Sequence, residues 1–191
     1  MTVDEARALM NEWTQSPALR VHMEAVAVCM GAYADKLAPG QRERWVVAGL
    51  LHDMDYERHP DLETGHPRVA LAELEKMDVD PVVIRAIASH ADFLGVSRDS
   101  PMEKTLYAVD ELSGFLLACA YVRPEGIVGL TPKSVKKKLK QPSFAAAVNR
   151  EDVRLGAEEL GVDFDEHLAF VIAALEERAD ELELNGSAAH A

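Results

Sequence analysis

The chain has 191 residues, 48% of them apolar and 28% charged, a mixture that suits one folded core, or one core with a small appendage, and excludes a disordered chain. Thirty-three acidic against twenty basic residues give a formal charge of −13, which excludes broad nucleic-acid or anionic-membrane binding through the overall field and leaves room only for a local basic patch. The opening MTVDEARALMNEW lacks the order of a secretory leader, no run nears ~18 uninterrupted apolar residues, and Cys29 and Cys119 form no Cys-x-x-Cys pair, so a cytoplasmic protein with two reduced thiols is expected.

Nearly every segment carries a helical period, and two-residue alternation is absent. The expected fold class is all-α, a multi-helix bundle with a small C-terminal helical extension. Helices are expected near 2–13, 17–37, 41–53, 67–77, 81–94, 101–122, 132–140, 143–148, 150–160 and 164–184. Four starts carry a capping residue followed by proline: Ser16-Pro17, Asp80-Pro81, Ser100-Pro101 and Thr131-Pro132, with Glu103 completing a capping box on Ser100. Gly126 and Gly129 lie in the longest loop, so residues 1–123 are expected as the main domain, 124–184 as the extension and 185–191 as a frayed tail.

Chemistry-bearing residues appear on the inward stripes of these helices. Ala18, His22, Ala25 and Cys29 share one face of the second, and His90 continues a stripe from Val83, Ala86 and Ile87, so both imidazoles point inward. Between them lies GLLHDMDYERHPDLETGHP. His52 and Asp53 end the apolar third helix, where adjacent side chains can lean toward one ion although they diverge by about 100° along a helix. Farther on, Asp110 shares a face with Met102, Leu106, Ser113 and Leu117, and a carboxylate amid that much apolar surface needs a cation or several donors. His22, His52, Asp53, His66, His90 and Asp110 thus form a set of four imidazoles and two carboxylates, ligand chemistry for a divalent transition metal such as Mn, Fe, Co, Ni or Zn. The alternative for His22 is a core histidine bonded to a carbonyl, and for His66 a capping position before Pro67. His59 and His190 read as solvated, His167 as an ordinary helix residue, and Asp55 and Glu57 as surface charge rather than partners of a water or an imidazole.

The order His, His-Asp, distant Asp on consecutive helices, with GLLHDMDYE as the signature helix, resembles the HD-domain superfamily of metal-dependent phosphohydrolases, over about the first 120 residues. The resemblance implies that His22, His52, Asp53 and Asp110 hold a first metal, and that His66 and His90 hold a second, with Asp53 as the bridge. Cyclic-dinucleotide phosphodiesterases of the superfamily carry a tandem His-His and a Gly-Tyr-Pro tripeptide. This chain has the single His90 in ASHADFLG and no such tripeptide, which argues against that substrate.

Such a site implies hydrolysis of a phosphomonoester or phosphodiester of a small molecule, nucleotide or short oligonucleotide by a metal-activated water, with His52 and Asp53 at the catalytic centre. No nucleophile triad or glycine-rich phosphate loop competes with it. The segment LTPKSVKKKLK concentrates positive charge in an acidic chain, and Lys133, Lys136 and Lys137 are expected to bind the phosphorylated substrate, the alternative being a solubilising face. Two other readings use the same residues. One is a non-catalytic, metal-bound helical sensor module; the other is a di-iron oxygenase, because mixed-valent oxygenases similar to this superfamily share the six-ligand pattern. Substrate, metal identity, one or two ions and oligomeric state are left open by the sequence.

Overall fold

Proline and its preceding cap set where the helices begin. In the computed structural model, which describes residues 1–186, the first five helices are α1 (Val3–Trp13), α2 (Pro17–Leu37), α3 (Arg42–Leu51), α4 (Arg68–Lys76) and α5 (Pro81–His90). A 3-10 turn, Asp92–Leu94, follows, then α6 (Pro101–Tyr121), α7 (Pro132–Leu139), α8 (Arg150–Leu160) and α9 (Phe164–Glu176). Among the described residues there is no strand, so the fold is all-α, as expected. Each of the four cap-proline signals starts a helix at its proline. At α6 the expected box is present: the amide of Ser100 donates to Glu103 at 2.9 Å and that of Glu103 to the Ser100 hydroxyl at 3.3 Å.

Two expected helical stretches are absent. Residues 143–148 form turns, and the Arg150 guanidinium donates to the carbonyls of Ala145 at 2.8 Å and Val148 at 2.6 Å, and also to that of Phe144. Ala145 stands at φ 44, outside helical backbone, and its carbonyl also accepts from the Val148 amide at 3.1 Å, so the stretch closes into turns that Arg150 braces rather than a helical ladder. The last helix ends at Glu176 rather than 184. Beyond it the chain folds back through Glu183 at φ 54, with the Leu184 amide bonded to the Ala179 carbonyl at 2.7 Å, which buries Leu182 and Leu184. Residues 187–191, including His190 and most of the expected frayed tail, lie outside the described residues.

Contacts divide the chain into two units, Met1–Tyr107 and Ala108–Ala191, with the division inside α6. The first unit is organised by the crossing of α3 on α2. A Cβ on Gly49 would lie 2.6 Å from the Ala27 Cα, so glycine is what lets the two backbones meet. Around that crossing Met23, Val26, Met30, Trp45, Leu50 and Leu51 are buried, and the C-terminal end of α3 is brought down against the N-terminal half of α2. The second unit has its own core, including Phe115, Leu116, Val153, Leu168, Val171 and Leu175. Within it His167 is buried and its Nε2 donates to the Ala108 carbonyl at 3.0 Å. His167, expected as an ordinary helix residue, is thus a bonded core histidine on α9. Cys29 and Cys119 are both buried free thiols, and among the described residues no helix is long and apolar enough to cross a membrane.

Candidate metal centre

Asp53 stands at the centre of four imidazoles. Its Oδ2 lies 3.7 Å from His22 Nε2 and 3.6 Å from His52 Nε2, while its Oδ1 lies 3.5 Å from His66 Nε2 and 3.7 Å from His90 Nε2. Two donor groups result, His22–His52–Asp53 and Asp53–His66–His90. Neighbouring imidazole pairs, His22–His52, His52–His90 and His66–His90, all have centroids 5.3 Å apart in edge-on or tilted contact. His52 is fully buried, and the other side chains keep only 6–17% of their surface exposed.

Each position has a local cause. His22 comes from the outer edge of the α2 stripe: Ala25 and Cys29 are buried, whereas Ala18, read as inward, is exposed. His52 caps α3, its Nδ1 donating to the Gly49 carbonyl at 2.8 Å. His90 ends α5, its Nδ1 donating to the Ile87 carbonyl. A carbonyl only accepts, so both Nδ1 atoms carry a proton, and in a neutral ring Nε2 is then the atom that offers a lone pair to a metal. Asp53 follows His52 in a run of turns, residues 52–58, fastened by bonds to the region between α1 and α2. The Thr14 hydroxyl donates to the Met54 carbonyl at 3.3 Å, and the Glu57 carboxylate accepts from the amides of Gln15 at 2.6 Å and Ser16 at 3.1 Å. Those backbone bonds, Ser16 first, hold the Glu57 carboxyl below its ordinary range. Glu57 is thus exposed, as read, but works as a clamp on the turn.

Asp55 corrects the sequence reading. It is fully buried, not a surface charge. Its Oδ1 accepts from His66 Nδ1 at 2.8 Å and its Oδ2 from the Ala70 amide at 2.8 Å. This fixes the His66 ring with Nε2 turned toward Asp53, the arrangement by which a second carboxylate orients an imidazole ligand. His66 is therefore not a helix cap; Pro67 occupies that position. The exposed loop before it is closed by the His66 amide on the His59 carbonyl at 2.8 Å, with His59 itself exposed as expected. Tyr56, half-exposed, packs its ring edge-on to His66 at 5.3 Å.

Asp110 belongs to neither donor group. It is half-buried on the stretch of α6 that falls in the second unit, on a stripe whose Met102, Leu106, Ser113 and Leu117 are buried as expected. In that second unit α7 presents the lysines. Lys136 pairs with Asp165 at 2.7 Å, and Lys133 and Lys137 are exposed.

The donor set fits a divalent cation. Separations of 3.5–3.7 Å exceed the 2.7–3.2 Å of N–H···O bonds. They approach the roughly 3.0–3.4 Å between two ligands that share an ion about 2.1 Å from each. A lone pair aimed at a carboxylate oxygen is repulsive unless something positive lies between them, and all-nitrogen-and-oxygen donors of this kind suit a borderline metal.

The segment that carries these residues matches a known family. The HD domain family model matches residues 20–114, and through that segment the chain belongs to the HD-domain superfamily, whose members bind divalent metals and are usually phosphohydrolases. A curated relative, Ribonuclease Y 2 of Levilactobacillus brevis, is 34% identical over 94 residues, which is 49% of this chain and 17% of that protein. The chain thus spans about a sixth of that relative's length. No solved structure gives a significant match.

Proposed function

We propose that the chain is a phosphohydrolase that cleaves a phosphomonoester or phosphodiester of a small molecule, nucleotide or short oligonucleotide. The observation that carries this is the Asp53 carboxylate, each of whose oxygens faces two imidazole Nε2 atoms. His22, His52 and the Oδ2 side of Asp53 would hold one metal, with Asp110 as its fourth ligand, a role supported by the superfamily resemblance and by its place within the matched segment. His66, His90 and the Oδ1 side of Asp53 would hold a second. Bound there, a divalent metal supplies a lowered pKa for water at neutral pH and an electrophilic pull on a phosphoryl oxygen.

The chain's own residues do the rest. Asp55 and the Gly49 and Ile87 carbonyls keep three imidazoles in the tautomer that offers Nε2. Asp53 would bridge the two donor groups or, with one of its oxygens unligated, accept the proton that the attacking water gives up. Lys133, Lys136 and Lys137 supply counter-charge that draws an anionic substrate to an acidic protein. The name of the matched relative makes an RNA phosphodiester one substrate to try.

Elemental analysis of anaerobically purified protein, paired with a phosphatase and phosphodiesterase panel with Mn, Fe, Co, Ni and Zn, tests the proposal. One or two ions per chain and metal-dependent turnover support it. Bound metal without turnover of any ester favours the sensor reading. The symmetric pair of donor groups also suits an oxygenase with two irons, and hydrolysis in the absence of O₂ excludes that.

A further inference from the structure

The second unit holds a cavity of about 270 Å³ at the end of α6, walled by Cys119 and Leu130 and rimmed by Arg123, Lys137 and Lys138. No acidic residue lines it, which is notable in a chain of net charge −13. The three cations differ in how they are held. The Arg123 guanidinium is fixed by donating from Nε to the Gly126 carbonyl and from Nη2 to the Val128 carbonyl, both at 2.8 Å, so Nη1 is left for another acceptor. Glu125, largely exposed, lies 3.9 Å from Nη2, too weakly coupled through water to neutralise it. Lys138 is half-buried, with Nζ 4.3 Å from the Phe144 ring. Lys137 is exposed and makes no ion pair among the described residues.

The wall is neutral. Burial pushes the Cys119 thiol up to about 11 even though Lys138 and Arg123 stand close enough to pull it down. The thiol is therefore an apolar surface and not a competing anion. A fixed guanidinium fork, two ammonium groups on apolar stems and a small apolar wall together suit a ligand with a doubly charged head and an apolar body.

We infer that this cavity in the second unit is a binding site for a small phosphate monoester with an apolar body, built from residues other than the donors around Asp53. It goes beyond the hydrolase reading; of its cations Lys137 is shared with that reading, whereas Arg123 and Lys138 belong to the cavity alone.

The probe is phenylphosphonate, which a phosphohydrolase does not cleave, titrated calorimetrically into the 191-residue chain and into Asp53→Asn, which removes the central carboxylate of the metal centre. The expected result is binding that survives in Asp53→Asn and is about tenfold tighter than that of inorganic phosphate, because the ring is buried. It weakens about tenfold when Lys137→Gln is added and again with Arg123→Lys, and it falls with rising salt. Lys137 is exposed, so its replacement keeps the fold even where a change at Arg123 disturbs the loop it ties. Absence of binding in Asp53→Asn, or equal affinity with and without Lys137→Gln, overturns the inference. Neither result bears on whether the metal centre hydrolyses esters, which the panel decides.

Discussion

Asp55 and His66 are joined by a 2.8 Å hydrogen bond inside the protein, and the other oxygen of the same carboxylate takes the Ala70 amide at 2.8 Å. One side chain thus ties the turn after α3, the imidazole before α4 and the first turn of α4 itself. Asp55→Asn should lower affinity for an ion on the His66–His90 side about 10- to 100-fold while leaving the His22–His52 side filled. Metal stoichiometry across a titration reads this directly; an unaltered second equivalent would show that Asp55 serves folding alone.

Asp53 and Asp110 should both matter to the metal, and His59 to neither metal nor chemistry. Asp53→Ala and Asp110→Ala are expected to lose bound metal and about a hundredfold or more in turnover, whereas the exposed His59→Ala keeps both. Full metal content in Asp110→Ala would remove that residue from the ligand set.

Gly49→Ala places a methyl group on the α2 backbone at Ala27, with no flexible side chain to give way. The expected cost is about 1–3 kcal/mol, read as a lower unfolding temperature. His52 sits three residues on, so weaker metal binding should accompany the loss.

Burial holds His167 below its ordinary value of 6.5, against the smaller opposing effect of its bond to the Ala108 carbonyl. Because the folded state resists protonation more than the unfolded one, its contribution to stability is whole above about pH 6.5 and shrinks as pH falls toward the folded value. Unfolding midpoints measured from pH 8 to 5 should decline less steeply in His167→Gln than in the parent chain.

Replacing Lys133, Lys136 and Lys137 with glutamine should raise KM for an anionic ester several-fold at low salt, with little change in kcat, and the difference should shrink at high salt. An unaltered KM for every active substrate would free the lysines from that role.

What could be read in advance followed the helical period. His22 and His90 were legible because each extends a stripe of buried apolar residues, and His52 because it ends one. His66, Asp53 and Asp55 lie in turns, where no period distinguishes a ligand from a solvated group; Asp53 is legible from its place beside His52 at the helix end and His66 from the cluster of imidazoles and carboxylates, while their roles as bridge and second-metal ligand come only from the resemblance to a known family. Asp55 had no such signal and was read as surface. The Ala-rich stretch at 143–148 has the propensity of a helix, yet Ala145 stands outside helical backbone and Arg150 braces the turns. The acidic run after Glu176 likewise reads as helix until Leu182 and Leu184 require the chain to turn back.

The short circuit between the His59 carbonyl and the His66 amide has a practical consequence for anyone building tools from this chain. Between those anchors, residues 60–64 are exposed, and Asp61 organises the tip by accepting from Glu63 and Thr64. Such a closed tip is where an inserted tag or a fluorophore on Glu63 is tolerated. A reporter placed there stands on the loop that the His66 amide closes, three residues along the chain from that imidazole, which makes the loop a handle for following occupancy of the centre in real time.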